Sequence, residues 1–221
     1  MARHPAEAEN LERCTGESSM YEERVTLPVD EVESSELARA LRELLEIFLL
    51  TLILFFALRA VLINFRITGV SMEPTLRDGE YVFVYRMAYW REPPERGDII
   101  VFRHPLNPRR TLIKRVIGLP GETVAIQNGR VYVNGQPLPE PYILASPTYT
   151  AAPVAVGPDE VYVLGDNRNN SSDSHSWGVL KQDLIVGKAV WRFWPPERFG
   201  PVPHATYPPP FDQPTGGENV P

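Results

Sequence analysis

The chain has 221 residues, 22 Lys and Arg against 28 Asp and Glu, and a formal charge of −6. That length accommodates one ordinary domain plus accessory segments, and with no basic block there is no electrostatic footprint for a nucleic-acid partner. Cys14 is the single cysteine, which excludes an intrachain disulfide, and the four histidines (4, 104, 175 and 204) are scattered without zinc-ligand spacing, so a structural or catalytic zinc is not expected.

Residues 1–34 are polar and Glu-rich with no sustained apolar period, which predicts a disordered tail carrying Cys14 as an exposed thiol. Ser35 is placed to cap a helix starting near Glu36 and carrying Leu37, Leu41, Leu44 and Leu45. That helix runs into an apolar stretch from Ile47 to Ile63, roughly 17 residues and about 25 Å long. The stretch reaches the short end of a membrane span, and the preceding leucines extend it, so 35–64 is read as a transmembrane helix. Arg59 near its end can snorkel to the interface. A buried core helix is the alternative. A cleaved signal peptide fits poorly, because the segment lies far from Met1 and lacks a Lys/Arg-rich flank. Arg39 and Arg42 before it balance Arg66 and Arg77 after it, so charge does not set its orientation.

From Phe65 the pattern changes to short β-type runs at 80–85, 98–102, 111–117, 123–126, 131–133, 161–164 and 184–194. Asn128-Gly129 joins two of them as a two-residue hairpin, and Asn134-Gly135 marks another turn. Many short strands with Gly/Pro turns predict a mostly β, antiparallel domain over 65–195. From Pro195 onward the density of proline predicts an irregular tail, 196–221.

Three segments carry chemistry-bearing side chains. Ser71 follows Gly69 and precedes Pro74, on a turn-like stretch that leaves a hydroxyl exposed. It is either a turn residue or a nucleophile awaiting a base. Lys114 shares one face of its run with Leu112 and Val116, opposite Ile113, Arg115 and Ile117. Burial there would lower its pKa, whereas an ordinary lysine is neutral in only about one molecule in two thousand at pH 7. An edge-strand lysine reaching water is the other reading. The polar run Gly165 to Gly178 is either a solvated loop or a hydrogen-bonded scaffold.

Together these segments resemble the bacterial type I signal peptidases, membrane-anchored Ser/Lys proteases, over the span and nearly all of 60–195. Four blocks appear in the family's order: Gly69-Val70-Ser71-Met72-Glu73-Pro74-Thr75-Leu76, Arg96-Gly97-Asp98-Ile99-Ile100-Val101-Phe102, Lys114 to Glu122, and Gly165-Asp166-Asn167-Arg168 through Asp173-Ser174 to Trp177-Gly178. The resemblance implies a partly open, barrel-like β domain preceded by one transmembrane helix. It implies Ser71 as nucleophile and Lys114 as general base, Ser171 orienting the lysine, and Asp173 bracing the site with Arg115 as its ionic partner. It implies substrate contacts at Val70 and Met72, and an oxyanion hole partly made by the Ser71 N–H. The expected partners are exported preproteins with small residues before the cut, and membrane lipid, and the implied mechanism needs no metal or cofactor. The expected location is the cytoplasmic membrane, crossed once, with a cytoplasmic N-terminal tail and an extracytoplasmic active site. The short stretch between Glu122 and Val161 corresponds to the compact version of the family.

Two departures stand out. Some members place a serine two residues before the nucleophile to complete the oxyanion hole, and here that position is Gly69. The family often follows Asp-Ser with arginine and an aromatic residue, and here these are His175 and Ser176. Two rival readings remain. A self-cleaving repressor-type Ser/Lys protease would need a DNA-binding region where this chain has an acidic tail and a span. A non-catalytic, membrane-anchored peptide-binding β module would need no dyad.

Overall fold

The structure, a computed structural model, describes residues 29–209 and residue 211. Cys14, most of the expected N-terminal tail and the last ten residues lie outside the described residues. The chain divides into two compact units between Leu54 and Phe55.

Helix α1 spans Val29–Val61. It begins seven residues before the expected start at Glu36, so Ser35 lies inside the helix instead of capping it. Within Glu36–Val61 an 18-residue window reaches a mean hydropathy of 2.4, and none of that window is buried by protein. Its large apolar side chains, Leu37 through Leu58, are 38–67% exposed. In water that surface would be strongly unfavourable. Thr51, within it, donates its hydroxyl to the Ile47 carbonyl at 2.8 Å, as a polar group in an apolar surrounding must.

The second unit is antiparallel β. Strands β1 (Leu62–Arg66), β2 (Tyr81–Tyr85), β3 (Ile99–His104) and β4 (Asn107–Gly118) are followed by the hairpin β5 (Thr123–Gln127) and β6 (Arg130–Val133). Then come β7 (Gln136–Pro137), β8 (Ala151–Ala155), β9 (Glu160–Leu164), the one-turn helix α2 (Ser174–Trp177), β10 (Leu180–Lys181), β11 (Ile185–Trp194) and β12 (Gly200–Pro201). The larger sheet runs β1-β2-β11-β3-β4-β9-β10, with β12 added on β11, and the smaller runs β7-β6-β5-β8. Both are open rather than closed into one barrel. Leu62 and Ile63, expected at the end of the span, belong to β1 and pair with Tyr85 and Val84 of β2.

Three apolar clusters fill the unit: one around Met72, Leu76, Val82 and Ile99, one around Ile117, Val124, Val133 and Tyr162, and one around Phe102, Val116 and Val163. Strand β4 contributes to all three through Ile113, Ile117 and Val116. It is therefore covered on both faces over its second half, where Lys114 lies.

The proline-rich segment does not run free at its start. Gly200 and Pro201 pair with Arg192 and Trp191, and Val202 enters the first cluster. His204 Nδ1 accepts the Ile99 N–H at 3.1 Å, Ala205 donates its N–H to the Gly97 carbonyl at 3.3 Å, and Tyr207 joins the second cluster. Proline blocks ladder donation, but apolar and aromatic residues between the prolines still find buried surface.

Candidate active site

The loop from β1 to β2 carries Ser71. It closes on itself through Ile67 N–H to Glu80 O at 2.7 Å and Gly79 N–H to Ile67 O at 3.0 Å. Within it the Gly69 N–H donates to Asp78 Oδ1 at 2.7 Å. Gly69 stands at φ +88°, where any residue with a Cβ is strained, so a serine hydroxyl is disfavoured there by the backbone itself. Met72 and Leu76, both without exposed surface, anchor the loop in the first apolar cluster. Their burial tips Ser71 to the other side, half-exposed.

Strand β4 brings in the amine. Lys114 pairs with Ile100 of β3, at the middle of the sheet, and is 3% exposed. Its Nζ lies 2.7 Å from Ser71 Oγ and donates to the Ile113 carbonyl at 2.8 Å. Loss of hydration lowers its pKa from 10.5 to about 8, with the Asp173 and then the Asp166 carboxylate pulling the other way. At pH 7 roughly one lysine in ten is then neutral. A neutral amine at hydrogen-bond distance can take the serine proton.

The turn after β9 supports this pair from behind. Asn167 donates its backbone N–H to Ser71 O at 3.0 Å and its side-chain amide to Val70 O at 3.2 Å. Gly165 permits the approach: a Cβ there would fall 2.3 Å from Ser171 Oγ and 2.5 Å from Ser71 O. Asp173, fully buried, accepts the Gly165 N–H on Oδ2 at 2.9 Å. Its Oδ1 lies 2.6 Å from His175 Nδ1 and also accepts the His175 N–H, which caps α2. Tyr149 stacks on the His175 ring at 4.1 Å.

Several expected roles change. Arg115 does not pair with Asp173; its Nε and Nη2 meet the two oxygens of Asp166 at 2.8 and 2.7 Å. The strand register explains this. Arg115 sits opposite Leu164, so the residue two positions beyond, Asp166, is the carboxylate within reach. The Thr75 hydroxyl donates to Asp166 Oδ2 at 2.5 Å, which links the pair to the loop that carries Ser71. Ser171 Oγ is buried and has no hydrogen-bond partner among the described residues, so it does not bond Lys114. The lysine's described polar contacts are instead with Ser71 Oγ and Ile113 O. Met72, packed in the core, has no surface to offer a substrate, whereas Val70 beside it is 44% exposed. His175 gives Asp173 a single ring contact in place of a fork.

Asp166, Asn167 and Gly165 lie at the site, and the sequence reading assigned them no role. The signal was present in Gly165-Asp166-Asn167, but nothing local says which carboxylate an arginine 51 residues earlier will meet. Among the described residues no three His, Cys, Asp or Glu side chains converge as a metal group needs. The Ser71 N–H has no hydrogen-bond acceptor among them either, so it remains available as an oxyanion donor.

Comparison with known proteins gives the site a context. The sequence model of a family described as signal peptidase, peptidase S26, matches residues 41–194. A signal peptidase I from Leptolyngbya laminosa is 51% identical over 142 residues, covering 61% of this chain and 70% of its own. A probable signal peptidase I-1 from Synechocystis sp. is 43% identical over 177 residues, covering 76% of this chain and 90% of its own. A solved signal peptidase I from Enterococcus faecalis is 34% identical and covers 44% of this chain and 97% of its own, with a TM-score of 0.39.

Proposed function

We propose a function from one premise: this chain belongs to the signal peptidase family, peptidase S26. It is a membrane-bound serine endopeptidase that cleaves signal peptides from preproteins, with Ser71 as nucleophile and Lys114 as general base. The observation that carries the dyad is the 2.7 Å approach of a buried amine to the Ser71 hydroxyl.

In this mechanism neutral Lys114 accepts the Ser71 proton as Oγ attacks the scissile carbonyl. The developing oxyanion is held by the Ser71 N–H. The Lys114 ammonium returns the proton to the leaving amine, which departs as the N-terminus of the mature protein. An acyl-enzyme between Ser71 and the signal peptide remains. Lys114 then deprotonates a water, which releases the signal peptide as a carboxylate. Asp173 and Asp166 hold the lysine's basicity up against its desolvation, and Asn167 donates to the Ser71 and Val70 carbonyls. Val70 meets the substrate, whose small residues before the cut enter shallow pockets beside the loop.

Helix α1 crosses the membrane once, the N-terminal tail is cytoplasmic, and the catalytic unit lies on the extracytoplasmic side of the cytoplasmic membrane. The partners are exported preproteins and membrane lipid. A non-catalytic peptide-binding module gives no reason to desolvate an amine against a hydroxyl.

The test is incubation with a precursor bearing an Ala-X-Ala site. The expected result is cleavage by the unaltered chain and none by Ser71→Ala or Lys114→Met. Processing at the normal rate by either variant overturns the dyad. Protease protection of the 65–195 region in spheroplasts would overturn the sidedness.

A further inference from the structure

Where α1 ends, the catalytic unit opens a cavity of about 410 Å³. That is within the range of about 300–1,000 Å³ usual for small-ligand sites. Ala60, in the last turn of α1, forms part of its wall, and the Arg86 N–H donates to the neighbouring Val61 carbonyl at 3.0 Å. Met87, Leu184 and Val186 contribute apolar surface.

Two guanidiniums, Arg86 and Arg103, line the cavity, and both residues are exposed. Neither has a carboxylate within 4.0 Å or a side-chain hydrogen bond among the described residues. One carboxylate, the exposed Asp183, also lines it, so the balance is positive by one. Trp90 stands at the same cavity, 74% exposed. A large aromatic with a polar N–H left in the open suits the headgroup layer of a bilayer.

We propose that this cavity is a binding site for the headgroup of an anionic phospholipid. Arg86 and Arg103 take the phosphate oxygens, for which their planar forks are suited. Trp90 lies along the glycerol and upper acyl region, and the apolar wall continues into the hydrocarbon. The occupant is a lipid rather than a soluble phosphate because the cavity shares a residue with the last turn of the apolar helix. A molecule seated there has one end at the membrane. The site rests on the reading of α1 as a span.

The test uses the full chain in nanodiscs of phosphatidylcholine with increasing phosphatidylglycerol, one or the other lipid carrying bromine in its acyl chains. Tryptophan quenching is compared with that of Trp90→Phe, so that the difference reports Trp90 alone. The Trp90 signal is expected to be quenched more by the brominated anionic lipid than by the brominated neutral one at equal mole fraction. Arg86→Gln and Arg103→Gln each raise the anionic fraction needed for half-quenching about fivefold. Arg130→Gln, on the smaller sheet, leaves it unchanged. Equal quenching by the two lipids, an unchanged preference in the Arg86/Arg103 double variant, or the same shift in Arg130→Gln overturns the site. Release of the chain by alkaline carbonate would overturn the span, and the site with it; a chain that stays integrated and shows no preference overturns the site alone.

Discussion

Arg115 grips Asp166 with Nε and Nη2 at 2.8 and 2.7 Å, and both side chains are buried almost completely. Arg115 lies one residue along β4 from Lys114, and the pair reaches the Ser71 loop through Thr75. Arg115 also rests over the Tyr142 ring at 4.1 Å and donates Nη1 to Gly97 O at 2.8 Å. It is thus the point where the third and fourth sequence blocks are tied to the second.

Removing one partner of such a pair leaves the other charge buried and uncompensated. Asp166→Asn is expected to destabilise the catalytic unit by about 3–5 kcal/mol. Denaturant unfolding in detergent, read by tryptophan fluorescence, measures it. A loss below about 1 kcal/mol would mean that water or another group compensates Arg115.

The dyad sets a pH profile. In the proposed mechanism the active form of Lys114 is the neutral amine, and its pKa is lowered to about 8. The value of kcat/KM on a precursor peptide should rise about tenfold per pH unit below that point and level off above it. A profile flat from pH 6 to 9 would show that Lys114 is not the base.

Asp173 is the foremost group holding that pKa up against desolvation. Asp173→Asn should move the rising limb toward acid. It also weakens the hydrogen bond from Gly165 and the contact with His175, so the plateau should fall. A limb that moves toward alkali would contradict the electrostatic role.

Stability carries the same signature. The unfolded chain holds the Lys114 proton up to about 10.5, whereas the folded chain releases it at about 8. Between those values the unfolded state binds the extra proton, so raising the pH stabilises the fold, by about 3 kcal/mol across the window. Below pH 8 both states hold the proton and this contribution is flat. Lys114→Met lacks the rise. The stability difference between the two proteins should therefore shift toward the unaltered chain from pH 8 to 10.5, and a constant difference would refute the lowered pKa.

Gly165→Ala places a methyl group into Ser171 Oγ and Ser71 O. The backbone of Ser71 must give way, which misplaces the proposed nucleophile. A misplacement of about 1 Å costs on the order of a hundredfold in rate. The expected result is that loss in kcat, measured with a folded protein whose far-ultraviolet circular dichroism is unchanged.

The apolar helix, most of the strands and the Asn128-Gly129 turn were readable because each depends on neighbours within a few residues. Ser71 and Lys114 were readable as candidates for the same reason: a punctuated turn and an apolar strand are local patterns. The partners of the braces were not. Arg115 could have met either Asp166 or Asp173, and the offset between β4 and β9 chose between them. Ser171 was expected at the lysine, but the lysine's polar contacts are with Ser71 Oγ and Ile113 O. Residues 200–207 read as irregular because of their prolines, yet they close over β3 and β11.

By itself the sequence determined a membrane-length apolar helix, an antiparallel β domain and the two side chains able to exchange a proton. These follow from hydrophobic period, turn chemistry and residue type. The tertiary structure alone decided that the amine lies 2.7 Å from the hydroxyl and that its pKa falls. Distance and desolvation depend on how a loop residue and a strand residue 43 positions apart are packed, and burial on both faces of β4 is what strips water from Lys114 and lowers its pKa.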